Sequence, residues 1–189
     1  WPIKCAHVAL IDMDNDGRRD IVLSVIYRDD RGRFQPVVLR NLTPPRGKPK
    51  FSKPPYEHMV GYYAAAPTTD FDRDGRIDIF LASWFEHLPN YLFRNVTDAG
   101  NWLTIRVDGR GKKLNSMGIG AVVRIYAAGH LGEPKHLLGR HDIVIGTGYA
   151  SGDEATAHFG LGKTEQCDVE VRWREQGIVR RDLLTNQAV

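Results

Sequence analysis

Long apolar runs are missing. No stretch approaches the length that a membrane-crossing helix needs, so no membrane span is expected. Cysteine is scarce. Cys5 and Cys167 lie near opposite ends, and they fit either one disulfide joining the halves or two isolated buried thiols. The initiator Met is absent. The chain opens on Trp1-Pro2, as a processed chain or part of a longer one would.

The usual signatures of catalysis are also lacking. The seven histidines show no zinc-like spacing with a second His or Cys. Ser116 and Ser151 have no G-x-S-x-G context. Gly146–Gly152 is glycine-rich, but it lacks the Lys and the following helix of a phosphate loop. Asp153 and Glu154 have no second carboxylate placed opposite them for glycoside hydrolysis. Basic residues are not interleaved with aromatics on any one element, so no nucleic-acid partner is expected. The expectation is a protein that is not an enzyme.

What is present is an acidic pattern that occurs twice. Residues 12–20 and 70–78 both read D-x-D-x-D-G-x-x-D, and their starts are 58 residues apart. Alternate carboxylates on one tight loop repel unless a cation sits among them. A hard dication that takes six to eight oxygens fits, so each loop is expected to bind one Ca²⁺. The carboxylates are those of Asp12, Asp14, Asp16 and Asp20, and of Asp70, Asp72, Asp74 and Asp78. Arg18 and Arg76 would offer their backbone carbonyls, and Gly17 and Gly75 permit the sharp turn. Two bound Ca²⁺ would raise the formal net charge from +3 to about +7, which makes acidic partners conceivable.

These loops are not EF-hands. Position 12, where an EF-hand has Glu, is Leu23 in one copy and Leu81 in the other. The flanks, residues 7–11, 21–25 and 79–83, read as short strands. Each loop is later followed by R-N-x-T, at Arg40–Thr43 and Arg94–Thr97. A repeat of 40–60 residues with several strands per unit is what propeller blades give. Asn41 and Asn95 also match the N-glycosylation pattern, although a turn role for Asn and Thr explains the repetition equally well. The connection with Arg28, Arg31, Arg33, Arg46, Lys48, Lys50 and Lys53 holds five prolines, and it reads as a surface loop. A solvated loop balancing the Asp clusters is preferred there over a patch for acidic polysaccharide, phosphate or lipid.

From Asn101 the pattern changes to about six short alternating strands with turns at sandwich-like intervals. The expected fold is all-β: two propeller-like calcium-binding repeats over 1–100, then a compact β-sandwich-like domain over 101–189. The paired Asp loops with R-N-x-T resemble FG-GAP or VCBS repeats of integrin-α-type propellers. The second half resembles the ASPIC and UnbV domain. The residues that carry this are Asn101-Trp102-Leu103, Asn115, Gly118–Val123, His158-Phe159-Gly160-Leu161-Gly162 and Val169–Trp173. The resemblance implies an extracellular, secreted or cell-surface protein with calcium in the loops and no established enzymatic activity.

A closed propeller needs at least four blades, and two leave open sheet edges. The expected partners are therefore the remaining blades of a longer chain, or other copies completing the sheets by strand addition into oligomers or filaments. The expected function is an adhesion or assembly module, with an acidic polysaccharide or surface protein as a conceivable partner. The alternative is a carbohydrate-binding or carbohydrate-acting protein that uses Trp84, Tyr62, Tyr63 and Trp173 with calcium as structural support.

Overall fold

The computed structural model describes residues 7–52, 59–111 and 114–189. Among the described residues, fourteen strands and one short 3-10 turn make up the regular structure, so the fold is all-β. No helix among the described residues is long and apolar enough to cross a membrane. The chain forms two compact units. One holds 1–13, 18–97 and 146–153, and the other holds 14–17, 98–145 and 154–189.

The first unit contains two sheets. In one, β1 (Val8–Ile11), β2 (Asp20–Arg28) and β3 (Phe34–Leu39) run antiparallel in that order, and β4 (Met59–Tyr62) also pairs with β2. In the other, β5 (Thr68–Thr69), β6 (Asp78–Leu81) and β7 (Tyr91–Phe93) repeat the same strand–loop–strand–strand order. Each Asp loop is thus the connection of an antiparallel pair. Ile11 faces Asp20 across the first, and Thr69 faces Asp78 across the second. Val22, Ile26, Ile79 and Leu81 from the two middle strands are buried together with Tyr63 and Ala66. The described residues form no closed propeller; the two sheets are separate.

The second unit is sandwich-like. One sheet has the order β10 (Leu137–Asp142), β9 (Val122–Ala127), β12 (Gln166–Trp173), β13 (Gln176–Leu184). The other has β11 (Thr156–Gly162), β8 (Asn101–Arg106), β14 (Gln187–Ala188). Alternation along β11 buries Ala157, Phe159 and Leu161. They share a core with Leu103, Val123, Ile125, Val169 and Trp173. The Phe159 ring lies against Gly139, where a Cβ would come within 2.7 Å of it. Cys167 is a buried free thiol in this core, and burial pushes it up to about 11. The disulfide expectation also involves Cys5, which lies outside the described residues.

Residues 14–17 belong to this second unit. Asn15 is fully buried, and its backbone carbonyl accepts the Gly162 N–H at 2.7 Å. The His158 ring lies between Thr104 Oγ1, 2.9 Å from Nδ1, and Asn15 Oδ1, 3.0 Å from Nε2. Burial, with a smaller effect of nearby His141, pulls His158 down to about 4, so it is neutral at physiological pH.

Candidate metal centre

Both nine-residue loops are built by the same hydrogen bonds. The carboxylate at position 9 is the keystone. Asp20 accepts the Met13 N–H at 3.0 Å and the Asn41 N–H at 2.6 Å. Asp78 accepts the Phe71 N–H at 3.1 Å and the Asn95 N–H at 2.7 Å. Position 9 therefore ties its own loop to the strand that ends in R-N-x-T. The Asn of that motif then caps a turn: Thr43 N–H reaches Asn41 Oδ1 at 3.1 Å, and Thr97 N–H reaches Asn95 Oδ1 at 2.9 Å. The arginine at position 7 closes the unit from the other side. Arg18 Nε donates to the Asn41 carbonyl at 3.0 Å, and Arg76 Nε to the Asn95 carbonyl at 2.9 Å.

Backbone geometry repeats as well. Position 4 takes a positive φ in both loops, 54° at Asn15 and 61° at Arg73. Gly17 and Gly75 follow at 87° and 85°, a region that glycine enters without steric cost.

This scaffold gathers carboxylates. Asp12, Asp14 and Asp20 each bring an oxygen within 4.8 Å of the others, and so do Asp70, Asp72 and Asp78. With Ca–O bonds of 2.3–2.6 Å, two oxygens on one ion lie up to about 5 Å apart, so the spacing fits Ca²⁺. The protonation behaviour points the same way. Burial raises Asp70 above the usual carboxylate range, against the Gly75 and Asp74 N–H bonds it accepts, and the Asp74 and Asp72 charges add to the rise. Burial likewise raises Asp78, with Asp72 and Asp74 contributing. Carboxylates in that state gain from a cation.

Position 5 stands apart from both clusters. Asp74 instead pairs with the guanidinium of Arg76 and, at 3.2 Å, with that of Arg94. Arg94 also holds Asp72 at 2.6 Å. Asp16 is not among the gathered carboxylates of the first loop. For Arg18 and Arg76 it is the side chains whose contacts define the loop, through Asn41 and Asn95.

Other sequence expectations fall out differently. Asn95 is buried, and its amide nitrogen donates to the Met13 and Ile77 carbonyls at 2.8 and 3.2 Å. Asn41 donates to the Arg19 carbonyl at 3.0 Å. Both amides are committed to the loops, which favours the turn role over glycosylation. Asp153 accepts the Thr68 N–H at 2.8 Å and the Thr147 hydroxyl, a structural duty rather than an acid pair with Glu154. In the basic connection, Arg33 pairs with Asp29 at 2.8 Å, and Lys53 lies outside the described residues.

Of the four aromatic residues proposed for sugar contact, Tyr63 and Trp173 are core residues at 1 % and 6 % exposure. Their rings fill the two cores, which removes them from any surface. Tyr62 and Trp84 do come together, with Phe85 and Tyr149, around an open groove of about 530 Å³. The Trp84 and Tyr149 rings stack at 5.5 Å. The histidines show no zinc-like spacing with a second His or Cys in sequence, yet the structure gathers one group around a carboxylate. His130, Glu133 and His136 place one ligand atom each within 4.8 Å of the others. The signal was the H-x-x-E-x-x-H spacing, with a carboxylate rather than a Cys or His between the pair.

Comparison with known proteins adds a partial resemblance. Residues 111–189 match the family model described as ASPIC and UnbV. The ASPIC and UnbV segment covers the loop before β9 and the strands β9 to β14. The chain as a whole is 35% identical to human cartilage acidic protein 1 over 195 residues, covering 98% of this chain and 27% of that protein. It is 34% identical to the mouse protein of the same name over 123 residues, 63% of this chain and 17% of the relative. The chain thus spans about a quarter of the human relative it matches.

Proposed function

We propose that this chain is a non-enzymatic, calcium-organised β module of an extracellular protein, acting in adhesion or assembly. The observation that carries the reading is the repeated scaffold: the same four hydrogen-bond types around the same D-x-D-x-D-G-x-x-D loop, each gathering three carboxylates. Ca²⁺ at each loop would neutralise the clustered charge and fix the strand that follows. Asp12, Asp14 and Asp20 hold one ion, and Asp70, Asp72 and Asp78 hold the other. Asp16, Asp74 and the carbonyls of Arg18 and Arg76 complete the shells as the ions draw them in. The two units of strand, loop and strand are read as FG-GAP or VCBS repeats, which propellers use as blades.

Sheet edges support the assembly part. β1 and β7 end their sheet orders. On β1, Val8 and Leu10 are 52% and 54% exposed. An apolar edge of that kind recruits a further strand, from the remaining blades of a longer chain or from another copy. Similarity to cartilage acidic protein 1 supports an extracellular setting.

Light scattering with and without a chelator tests the reading. Calcium-dependent particles larger than one chain support assembly through the edges. A particle mass and melting temperature that ignore the chelator argue against any calcium-organised module.

A second reading rests on the groove of Tyr62, Trp84, Phe85 and Tyr149. Exposed flat rings are suited to stacking on a sugar face. Binding to a polysaccharide panel that is lost in Trp84→Ala would favour it; no binding at millimolar sugar would dismiss it.

A further inference from the structure

The connection between β9 and β10 carries a second constellation, chemically unlike the Asp loops. It begins at Ala128 and ends at His136. Three successive turns shape it, each closed by a bond from residue i+3 to residue i. His130 N–H donates to the Ala127 carbonyl at 3.0 Å, Glu133 N–H to His130 at 3.1 Å, and His136 N–H to Glu133 at 2.9 Å. These turns bring the His130, Glu133 and His136 side chains together, with one ligand atom of each within 4.8 Å of the others.

The loop is firmly mounted. Its ends are clamped where Leu137 pairs with Tyr126. Its start is held by buried Asp168, which accepts the Gly129 N–H at 3.1 Å and the Asp182 N–H at 3.0 Å. Gly129 and Gly132 take φ of 80° and 83°, which lets the chain reverse between the turns.

Glu133 sits between the two rings. Its Oε1 lies 3.2 Å from His130 Nδ1, and its Oε2 lies 3.7 Å from His136 Nε2. Lys135 Nζ approaches the same Oε2 at 3.6 Å. The imidazoles stack with centroids 3.7 Å apart and planes 16° from parallel. The His130 bond, foremost, holds the Glu133 carboxyl below its ordinary range, so it is ionised at neutral pH. Four-coordinate zinc with bonds of about 2.0–2.1 Å sets neighbouring donors roughly 3.3 Å apart. The His–Glu separations bracket that value.

We propose that His130, Glu133 and His136 bind a borderline divalent transition-metal ion, Zn²⁺ in the first instance, independently of the calcium loops. Two imidazoles and one carboxylate suit zinc, whereas calcium requires an all-oxygen shell. A ring nitrogen binds the metal without its proton, so any proton on the ligating nitrogens leaves to solvent. The rings must rotate out of parallel, because an imidazole lone pair lies in the ring plane. The side chains are a third to a half exposed and have room to do so. A fourth position is left for water or for a donor from another molecule.

Calorimetric zinc titration of the untagged chain, with the Asp loops saturated by calcium, is the test. One zinc per chain is expected. His136→Asn and Glu133→Gln should each weaken it by at least about tenfold, since each removes one of three ligands. His141→Asn, which lies outside the cluster, should leave it unchanged. Co²⁺ in place of zinc should give the intense visible band of a four-coordinate ion. No heat with zinc at about 100 µM, or equal binding by the wild type and His136→Asn, overturns the proposal.

Discussion

The two Asp loops share a sequence pattern and a hydrogen-bond scaffold, and they differ at positions 2, 4 and 8, of which position 4 sits at the tip. Position 4 is Asn15 in the first loop and Arg73 in the second, both in the left-handed region. Asn15 is fully buried, with Oδ1 3.0 Å from the His158 ring and its carbonyl bonded to Gly162. Arg73 is exposed. In the second loop the guanidinium of Arg94 lies on Asp72 and that of Arg76 on Asp74. One motif thus serves twice: a charge cluster common to both copies, and a tip that is either packed into a core or left in solvent. The lesson is that the alternate aspartates report the site, while position 4 reports its surroundings.

The largest effect should come from the keystone. Asp20→Ala or Asp78→Ala strands two backbone N–H groups each, and an unsatisfied buried donor costs about 1–3 kcal/mol. Equilibrium denaturation in chelator should show a loss of roughly 3 kcal/mol for either variant, which would confirm that position 9 is structural in both loops. If Asp78→Ala lost nothing without calcium, position 9 would be a ligand only.

Position 4 should separate the copies. Asn15→Ala leaves the His158 contact empty in a buried place, at a cost of about 2 kcal/mol. Arg73→Ala, on the surface, should stay within about 0.5 kcal/mol of the parent. Equal losses would mean that the burial of Asn15 has no energetic weight.

A pH titration sharpens the same contrast. His158 has a folded value of about 4 against an ordinary 6.5, so between these pH values the unfolded chain binds more protons than the folded one. The associated stability is complete above pH 6.5 and is lost as pH falls towards 4. His158→Gln should flatten that slope in thermal denaturation scans, and an unchanged slope would exclude His158 as its source.

The smallest effect concerns Arg94. It is 54% exposed, so solvent screens its pairing with Asp72 and the pair adds little to stability. Arg94→Ala removes a competing cation, and calcium affinity at the second loop should rise by up to about fivefold. A fall in affinity would assign Arg94 a supporting role instead.

Much of this was legible in the sequence because local chemistry decided it. Gly17 and Gly75 mark positive φ, the strands on either side follow from β-branched residues, and Asn41 and Asn95 repeat because both cap the same turn. Burial was less legible. Trp84 and Tyr63 look alike in sequence, but Tyr63 fills the core between two strands, and only tertiary packing decides that. The short strands β4, β5 and β14 are too brief for alternation to show in the sequence. The role of position 9 was half seen: its charge was plain, but its two backbone partners lie 7 and about 20 residues away. The His130, Glu133 and His136 cluster depends on turns reversed at Gly129 and Gly132, which spacing alone does not show.

Calcium calorimetry on the parent, Asp14→Ala and Asp72→Ala reaches the central claim most directly. Two sites are predicted in the parent and one in each variant. For each occupied site, melting should rise by the equivalent of about 2.7 kcal/mol at a hundredfold excess over Kd. A parent chain that takes up no calcium, or variants that both retain two sites, would contradict the account.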